Sequence, residues 1–387
     1  MNSQPQIIAF FHQSADLYGS DKVLLSLIEN LDRERYEPIV VLPCHGPLCD
    51  ELEKHDIQVY IAPLVLAGRA LFSPVGLLKL PIALFNSIKA LNEIFSGIDV
   101  AIVHSNTLAV LSGAFWSKFK RIKHLWHVHE IIERPVFVRK AFAWLLLLFA
   151  DRIVCNSRAT LDHLLADFGI LSGKSSVVWN GIEPPALLDE SHIGSPLVFA
   201  PQNVVVALVA RINRWKGHLL LMKAAKLLLE DGYSNIKYLI VGSPPAGQYH
   251  FLEKLKKVIN EYSLQEYVQI VPFSDDIWPF WRQCDIAVVP STEPEPFGLV
   301  SLEAMSVEKP VIAAGHGGLV DIVVDGETGL LFEPNNCESL KNALARLVND
   351  ENLRYSMGKK GRERVCEVFS VAKFVEKFDE EYRWVLN

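Results

Sequence analysis

The fold is decided by the stretch Asp285-Ile286-Ala287-Val288-Val289-Pro290 together with the segment that follows it, Ser291-Thr292-Glu293-Pro294-Glu295-Pro296-Phe297-Gly298-Leu299-Val300-Ser301-Leu302-Glu303-Ala304-Met305. The apolar run predicts a buried parallel strand, and residues 298–307 have the spacing of a helix. The loop between them therefore follows the carboxyl end of a strand. Open α/β sheets bind their ligands at that edge.

This segment carries two carboxylates eight residues apart, Glu295 and Glu303. The backbone N–H groups of residues 297–300 have no partner in the first helical turn, so they can bind an anion. Carboxylate oxygens can accept hydrogen bonds from sugar hydroxyls. From the spacing alone, a helix cap and a solvated helix face are the more usual explanation of two such carboxylates.

Apolar strand candidates alternate with helical stretches along the whole chain. They are residues 7–11, 39–42, 59–61, 100–104, 124–126 and 152–155 in the first half, and 204–210, 238–241, 268–271, 285–289 and 311–314 in the second. This alternation predicts two doubly wound α/β domains. The Pro-, Gly- and Ser-rich passage 184–201 separates them. We expect domains at 1–190 and 191–370, with a final amphipathic helix at 371–387.

A basic loop follows the first strand of the second half, in the sequence Arg211-Ile212-Asn213-Arg214-Trp215-Lys216-Gly217. A helix begins near His218, so two cations lie beside a helix N-terminus. Arg211 can form paired hydrogen bonds to phosphate oxygens, and Lys216 supplies a compact charge. Basic loop residues are also common on ordinary protein surfaces, so the loop alone leaves both interpretations open.

The first half offers a glycine and three histidines after its strands. Gly19 precedes a helix in Leu17-Tyr18-Gly19-Ser20-Asp21-Lys22, where a glycine permits close backbone approach. His104, His127 and His129 come at the ends of two strand candidates. All three are candidates for a binding cleft or for core positions. If the strand continues, alternation places His127 and His129 on the same side, so these two are also candidates for metal ligands. No third ligand has suitable spacing for a metal.

Glu-Pro-Phe-Gly and Glu-Ala-Met around Glu295 and Glu303 resemble the Glu-x7-Glu signature of retaining, nucleotide-sugar-dependent glycosyltransferases of family 4. That resemblance implies the GT-B fold, in which two Rossmann-like domains face a central cleft and the C-terminal helix crosses back to the first domain. It implies that Arg211 and Lys216 stabilise the departing diphosphate. Glu303 then binds the ribose and Glu295 the donor sugar, with His129 beside the anomeric carbon.

The resemblance extends along most of the chain. It implies catalytic roles for His129, Arg211, Lys216 and Glu295, and donor binding by Gly19, Arg211, Lys216, Glu295, Pro296, Phe297, Gly298, Leu299, Val300 and Glu303. Further cleft positions are Ser20, His104, Asn106, His127, Asn156, Asn180, Gly242 and Phe273. Tyr18 replaces the first glycine of the family's Gly-Gly loop, and Asp321 replaces its usual Glu. No metal or other cofactor is expected, because Arg, Lys and helix dipoles neutralise the charge.

The implied activity is retaining transfer of a sugar from a UDP or GDP donor to a hydroxyl acceptor. The expected acceptor is a growing lipid-linked, lipopolysaccharide or other cell-surface glycan. Two alternatives remain at this point, because fold does not determine reaction. One is a nucleotide-sugar epimerase or phosphorylase of the same fold, and the other is a non-catalytic sugar-nucleotide-binding subunit.

Composition excludes some classes of protein. The chain has 387 residues, a net charge of −7 and a pI near 6.0, which argue against a general nucleic-acid binder. Its six cysteines form no Cys-x-x-Cys pair and are typical of reduced thiols. The amino terminus lacks a basic n-region, so we expect no secretory signal and a cytoplasmic protein. The uncharged run 141–150 is shorter than the roughly 20 residues that cross a bilayer, so no transmembrane helix is expected.

Residues 64–158 are basic, with twelve Lys or Arg against five Asp or Glu. Aromatic and aliphatic side chains alternate with the cations Arg69, Lys79, Lys89, Lys118, Lys120, Arg121, Lys123, Arg139 and Lys140. The mixture suits peripheral docking on an anionic membrane. It also suits core helices whose basic faces are solvated, and the sequence favours neither.

Overall fold

A computed structural model describes residues 4–68, 71–186 and 199–387. The chain divides into two compact units, residues 1–181 with 371–387 and residues 182–370. We call them unit 1 and unit 2. Arg69 and residues 187–198 of the predicted linker lie outside the described residues. The sequence places the boundary at residue 190, whereas the described contacts divide the chain after Gly181.

Unit 1 is built on a sheet of seven parallel strands in the order β3-β2-β1-β4-β5-β6-β7. The strands are β1 (Gln6–Phe11), β2 (Tyr36–Leu42), β3 (Gln58–Ile61), β4 (Val100–Asn106), β5 (Lys123–Val128), β6 (Arg152–Cys155) and β7 (Ser175–Val177). Helices cover both faces of such a sheet, so its central strands read as continuous apolar runs. Phe10 and Phe11 of β1, for example, are fully buried.

The helices of unit 1 are α1 (Gly19–Glu29), α2 (Pro47–Lys54), α3 (Pro74–Ile94), α4 (Leu111–Lys120), α5 (Val136–Phe149) and α6 (Arg158–Asp167), followed by a 3-10 helix at Gly169–Lys174. The last helix of the chain, which we number α14 (Val371–Leu386), also belongs to this unit. Its buried stripe includes Phe374, Phe378 and Tyr382. Glu381 in that stripe pairs with Arg152. The helix therefore packs back on the first sheet, as predicted.

Unit 2 repeats the plan with six parallel strands in the order β10-β9-β8-β11-β12-β13. The strands are β8 (Val204–Val209), β9 (Ile236–Val241), β10 (Val268–Val271), β11 (Ile286–Val289), β12 (Val311–Ala314) and β13 (Gly329–Phe332). The helices are α7 (His218–Glu230), α8 (His250–Glu261), α9 (Trp278–Gln283), α10 (Leu299–Ser306), α11 (Leu319–Ile322), α12 (Cys337–Asn349) and α13 (Glu351–Val368).

In each sheet the chain first adds strands on one side of its first strand. It then crosses over and adds the remaining strands on the other side, so the strand order reverses at that point. The reversal falls between β1 and β4 in unit 1, and between β8 and β11 in unit 2. The loops that follow two such strands diverge to opposite faces of the sheet. They leave a crevice at the carboxyl ends, which is where doubly wound proteins bind ligands.

One helix bears on the expectation of no transmembrane helix. Helix α3 has 21 residues and a mean hydropathy of 1.3 in its most apolar window, so by length and composition it could cross a membrane. Lys79 and Lys89 interrupt its sequence, which is why a search for charge-free runs misses it. Core helices of soluble proteins can meet the same test, but only 11% of this window is buried.

Candidate functional site

The clearest arrangement of polar side chains lies at the strand-order reversal of unit 2. The loop 211–217 follows β8 and the loop 291–298 follows β11, and these two strands are neighbours in the sheet. We call these two loops the β8–β11 site. All four residues that the sequence predicts for phosphate and sugar binding in this half come from these loops and from α10. Chain order alone does not show that the loops are adjacent.

The centre of the β8–β11 site is an ion pair between Lys216 and Glu295. Lys216 Nζ lies 2.6 Å from Glu295 Oε1, and the two side chains are 14% and 5% exposed. Ser291 Oγ donates a second hydrogen bond, 2.5 Å long, to the same carboxylate oxygen. His316 Nε2 in turn donates to the Ser291 carbonyl oxygen at 2.9 Å. The predicted phosphate-binding cation and the predicted sugar-binding acid are therefore in direct contact.

Backbone geometry holds Lys216 in place. Asn213 Oδ1 accepts from the backbone N–H groups of Trp215 and Lys216, at 3.1 Å each, which closes a tight turn. Gly217 then adopts a φ of 75° and caps α7. A Cβ atom at Gly217 would lie 1.8 Å from the Pro290 carbonyl oxygen, so only glycine allows the two loops to pack this closely.

A second set of contacts holds Glu295. The Gly318 N–H donates to the Glu295 carbonyl oxygen at 2.7 Å. Phe297 is 3% exposed, and its ring lies 6.1 Å from that of Phe369. Its side chain is therefore an anchor in the core, and only its backbone is available to a ligand. Gly298, at a φ of 107°, then turns the chain into α10, which begins at Leu299.

The other predicted donor residues of unit 2 lie on the same two loops and on α10. Arg211 is exposed at the start of its loop. Arg214, which the resemblance leaves unassigned, forms an ion pair with Glu293 in the neighbouring loop. Glu303 lies on α10, where Trp281 Nε1 donates to its Oε2 at 3.4 Å. Pro296 and Val300 are half-buried.

Gly242 and Phe273 follow the neighbouring strands β9 and β10. Gly242 has a φ of 151°, and a Cβ atom there would lie 2.0 Å from the Ala210 carbonyl oxygen. The β9 loop therefore approaches the β8 loop as closely as a glycine permits. The Phe273 ring is 46% exposed, and its N–H donates to Ser243 Oγ at 3.0 Å.

The reversal in unit 1 also gathers polar side chains. His12 follows β1, Asn106 ends β4, and His129 follows β5. His129 Nε2 and Asn106 Oδ1 are 2.8 Å apart, and Asn106 Nδ2 lies 3.0 Å from His12 Nδ1. His12 Nε2 lies 2.5 Å from Asp21 Oδ1. We call these four residues, Asp21, His12, Asn106 and His129, the β1–β4 site.

Burial dominates the titration of this region. It lowers the pKa of His129 to about 3, so the imidazole is neutral at physiological pH. Burial also raises the pKa of Glu130 to about 7, against the opposing effect of hydrogen bonds to its carboxylate. Those bonds come from the backbone N–H groups of Leu108, at 3.1 Å, and of His129, at 3.0 Å. Glu130 therefore ties the chain after β5 to the chain after β4.

His104 and His127 differ from their predicted place in a cleft. Both are at most 1% exposed. His104 Nδ1 lies 2.8 Å from the Tyr382 hydroxyl, and the rings of both histidines contact Phe378 of α14. The C-terminal helix thus covers them, which makes them core residues. The prediction that alternation places His127 and His129 on the same side of the strand agrees with the structure, since their rings are 3.9 Å apart.

The remaining predicted positions of unit 1 are spread around its carboxyl edge. Gly19 is exposed and begins α1, and the Ser20 carbonyl oxygen accepts from Asn106 Nδ2 at 3.4 Å. Asn156 is 2% exposed, and its Oδ1 accepts from Thr160 Oγ1 at 2.9 Å. Asn180 is also 2% exposed, and its Oδ1 has no partner in the described part of the chain.

Three residues that the sequence does not single out belong to these sites, namely His12, Asp21 and Ser291, and a fourth, His316, supports the β8–β11 site through the Ser291 carbonyl oxygen. His12 follows a strand end just as His104 and His127 do, so the same reasoning could have found it. Asp21 lies in the first turn of α1, which is typical of a helix cap. Within the described residues no group of three His, Cys, Asp or Glu side chains is arranged to hold a metal ion.

Comparison with known proteins adds independent information. The family model for glycosyltransferase family 4 matches residues 18–184, and the model for glycosyl transferases group 1 matches residues 195–364. The two matches cover unit 1 and unit 2 in turn. They include every residue of the β8–β11 site and most of the β1–β4 site.

Individual relatives match part of the chain. An uncharacterised glycosyltransferase of Methanocaldococcus jannaschii is 32% identical over 217 residues, which are 55% of this chain and 54% of that protein. The capsular polysaccharide biosynthesis glycosyltransferase CapM of Staphylococcus aureus is 32% identical over 191 residues, or 48% and 47% of the two chains. The aligned part thus spans about half the length of these curated relatives.

A solved structure matches almost the whole chain. Anabaena HepE, crystallised with UDP and glucose, has a TM-score of 0.82 and 24% identity, and the match covers 98% of this chain and 100% of that one. At this identity the likeness concerns the fold, which is GT-B. Given this fold and the consecutive matches of the two family models, the chain belongs to the family 4 glycosyltransferases.

Proposed function

We propose that this protein is a retaining glycosyltransferase that moves a sugar from a nucleoside-diphosphate donor to a hydroxyl of a cell-surface or lipid-linked glycan. The observation that carries the proposal is the buried contact between Lys216 and Glu295. Such a pair costs desolvation free energy that its Coulomb attraction does not reliably offset, so it is weak evidence of a purely stabilising role. Its position at the β8–β11 reversal favours a binding role.

The donor's two ends match the two partners of this pair. A diphosphate carries negative charge, and Lys216 beside the N-terminus of α7 provides the charge that attracts it. A sugar offers hydroxyl donors, and the Glu295 carboxylate accepts them. We assign Glu303 to the ribose and Arg211 to the phosphates, and His129 to a hydroxyl of the donor sugar. The backbone of residues 297–300 supplies further N–H donors.

The chemical step breaks the bond between the anomeric carbon and the diphosphate oxygen. A new bond forms from the acceptor hydroxyl oxygen to the same face of that carbon, and the departing diphosphate oxygen takes the hydroxyl proton. Negative charge grows on the diphosphate as the bond breaks. Lys216 and Arg211 stabilise this charge, which lowers the barrier without any bound metal.

The names of the similar proteins guide the choice of substrates. HepE was crystallised with UDP and glucose, and CapM is described as a capsular polysaccharide biosynthesis enzyme. We therefore place UDP-sugars first among the donors to be tested, and surface polysaccharide precursors first among the acceptors. The reaction would take place at the cytoplasmic face of the membrane, where nucleotide sugars are available.

Thermal unfolding with a panel of UDP-, GDP- and ADP-sugars tests donor binding. A ligand that binds only the native state raises stability by RT ln(1 + [L]/Kd), or about 2.7 kcal/mol at a hundredfold excess over Kd. We expect a selective rise in Tm with one nucleotide class, lost in Lys216→Ala. Lys226→Ala is the matched control, because Lys226 lies on α7 and pairs with Glu230 on the surface. Equal shifts in both variants would contradict the assignment.

Product analysis separates the proposal from its alternatives. An epimerase would isomerise the donor sugar without any acceptor. A non-catalytic subunit would bind the donor and leave it unchanged in the presence of a competent acceptor. A transferase forms a new glycosidic bond whose anomeric configuration matches the donor's, and NMR of the purified product measures that configuration directly.

We further propose that unit 1 docks on an anionic membrane. Helix α4 contacts both α3 and α5. These three helices expose large apolar side chains, including Leu78 at 80%, Phe85 at 68%, Phe119 at 63% and Phe137 at 65%. We call this the α3–α5 surface. The cations on these helices are Lys79, Lys89, Lys118, Lys120 and Lys140, and Arg121 and Lys123 follow α4 directly, so apolar insertion and attraction to anionic lipid act together.

Sedimentation with vesicles tests this docking. The protein should pellet with phosphatidylglycerol vesicles and not with phosphatidylcholine vesicles, and high salt should reduce pelleting. The variant Leu78→Ser/Ile82→Ser/Phe85→Ser should remain in the supernatant. Ile170→Ser/Tyr355→Ser is the control, because those side chains are 74% and 69% exposed on other elements. Full pelleting of the triple variant, or none of the wild type, would refute docking at this surface.

A further inference from the structure

The β1–β4 site is a continuous line of hydrogen bonds through four side chains. It runs from Asp21 to His12, from His12 to Asn106, and from Asn106 to His129, with separations of 2.5, 3.0 and 2.8 Å. Asp21, His12 and Asn106 are at most 1% exposed. His129 is half-buried at the end of the line, and its Nδ1 has no protein hydrogen-bond partner in the described part of the chain.

The Ser20 carbonyl oxygen determines the orientation of the Asn106 amide. This oxygen can only accept, and it lies 3.4 Å from Asn106 Nδ2. If the amide were turned over, two acceptor oxygens would face each other in a buried place, at a cost of about 1–3 kcal/mol. The Nδ2 group therefore faces Ser20 and His12, and Oδ1 faces His129.

This amide orientation determines the hydrogen positions on both histidines. Asn106 Nδ2 lies 3.0 Å from His12 Nδ1, closer than the Asn106 backbone carbonyl oxygen at 3.4 Å. We therefore take Nδ1 as the acceptor from Nδ2, which places the hydrogen of His12 on Nε2, where it reaches Asp21. Asn106 Oδ1 accepts, so His129 carries its hydrogen on Nε2. A neutral imidazole has one donor and one acceptor nitrogen, and Nδ1 of His129 is then the acceptor.

Asp21 anchors the line with a permanent negative charge. Burial alone would raise its pKa, but hydrogen bonds from His12, Ser14 and the Tyr18 backbone hold the pKa below its ordinary value. The Tyr18 N–H donates to Asp21 Oδ2 at 2.8 Å, and Ser14 Oγ donates to Oδ1. Asp21 also lies in the first turn of α1, where the helix dipole favours a carboxylate.

We propose that Asp21, His12 and Asn106 are positioning residues that hold the His129 imidazole in its Nε2–H tautomer, with the Nδ1 lone pair directed to a donor-sugar hydroxyl. The sugar contact rests on the proposed function, whereas the tautomer does not. In the other tautomer Nδ1 would donate to the hydroxyl oxygen instead of accepting its proton, so the tautomer decides the direction of this hydrogen bond. The line also polarises each bond in the same direction, since every group donates toward Asp21.

Nitrogen NMR of the full-length protein labelled with 15N-histidine tests the tautomer without any activity measurement. Two-bond correlations between the ring nitrogens and the protons bound to ring carbons distinguish a protonated ring nitrogen from an unprotonated one. The His129 signal is assigned as the one missing from His129→Gln. We expect protonated Nε2 and unprotonated Nδ1 at pH 7.5. A His129 signal from the Nδ1–H tautomer, or from the imidazolium, would overturn the proposal.

Asn106→Leu tests the role of the line, because leucine has a similar volume and forms no hydrogen bond. We expect a mixture of His129 tautomers and a fall of about tenfold in kcat/KM for the donor. Asn92→Leu is the matched control, since Asn92 Oδ1 accepts from Trp116 Nε1 at 3.1 Å in the same unit. The Asn92→Leu variant should be less stable than the wild type but should keep the wild-type His129 tautomer and the wild-type KM for the donor.

The outcomes also separate this proposal from the proposed function. If wild-type His129 has the Nε2–H tautomer and His129→Gln binds the donor normally, the line is real and the sugar role of His129 is wrong. If Asn106→Leu leaves the tautomer of His129 unchanged, the line does not set it and the positioning role is refuted. A variant of Asn106 that does not fold leaves the wild-type spectrum as the deciding measurement.

Discussion

Replacing Lys216 by alanine should reduce turnover at least tenfold. Lys216 Nζ is 14% exposed and already forms a 2.6 Å charged contact in the free protein, so little further ordering is needed when the donor binds. A hydrogen bond to a charged group contributes about 1.5–3 kcal/mol. If this interaction strengthens as the diphosphate leaves, its loss corresponds to roughly a 10- to 150-fold fall in kcat.

The same substitution should also lower the free energy of unfolding. Glu295 is 5% exposed, and without Lys216 its nearest partner is the Ser291 hydroxyl. Leaving one member of a buried pair unneutralised costs about 3–5 kcal/mol. We expect the lower end of this range because Ser291 remains as a donor. Lys216→Met/Glu295→Gln removes both charges, so it should recover much of the stability while turnover stays low.

The assay is initial-rate transfer from the donor found by thermal unfolding, with urea unfolding measured on the same preparations. Lys226→Ala should keep both wild-type turnover and wild-type stability. If Lys216→Ala keeps near-normal turnover, Lys216 does not stabilise the leaving group. If the double variant recovers turnover together with stability, the ion pair is structural, and the proposed role of both residues is refuted.

Three further predictions follow from the geometry. Gly217→Ala should lower the free energy of unfolding in urea much more than Gly232→Ala does. Both glycines have a positive φ, at 75° and 92°, but only a Cβ atom at Gly217 would clash with the Pro290 carbonyl oxygen. Equal losses of stability in the two variants would contradict the close packing of the two loops. His124 and His129 have pKa values lowered by burial to about 4 and about 3, so below pH 6.5 the unfolded chain binds protons that the native state does not, and each of them should lower stability by about 1.4 kcal/mol per pH unit toward pH 4. The pKa of Glu130, raised by burial to about 7, acts in the opposite sense and should offset about one histidine between pH 7 and pH 4.5. Urea unfolding at several pH values measures the net slope, and Glu130→Gln should make it steeper. EDTA should leave turnover and the donor-induced rise in Tm unchanged, and a loss restored by added Mg²⁺ would contradict the proposed use of cationic side chains.

Much of the fold could be predicted from the sequence, because buried parallel strands are apolar throughout. The bounds of β6, β10 and β12 agree with the predicted ones, as does the start of α7 at His218. The misses have a physical reason. Strand β7, Ser175–Val177, is three residues long and mostly polar at the edge of its sheet, so no periodicity marks it. Helix α3 was missed as an apolar helix because two lysines divide it.

Side chains at strand ends were predictable for the same reason, but their partners were not. Lys216 and Glu295 are 79 residues apart in the chain, and His12 and Asn106 are 94 apart. Periodicity places each residue on its own element and says nothing about which strands are neighbours. His104 shows the limit most clearly. It follows the rule for a ligand position, and α14 then covers it from a point 278 residues later.

The strand order of each sheet supplies the information that the hydrophobic pattern of the sequence lacks, namely which strands are neighbours. In unit 2, the reversal makes β8 and β11 neighbours, so Lys216 and Glu295 must lie at one edge although three strand-helix repeats separate them. In unit 1, the reversal makes β1 and β4 neighbours, and His12 meets Asn106 there. In both sheets a polar contact of the candidate site forms across the two strands where the order reverses, between Lys216 and Glu295 at 2.6 Å and between His12 and Asn106 at 3.0 Å. A sequence reading that first assigned strand order, and only then paired strand-end residues across the reversal, would have found His12 as readily as Glu295.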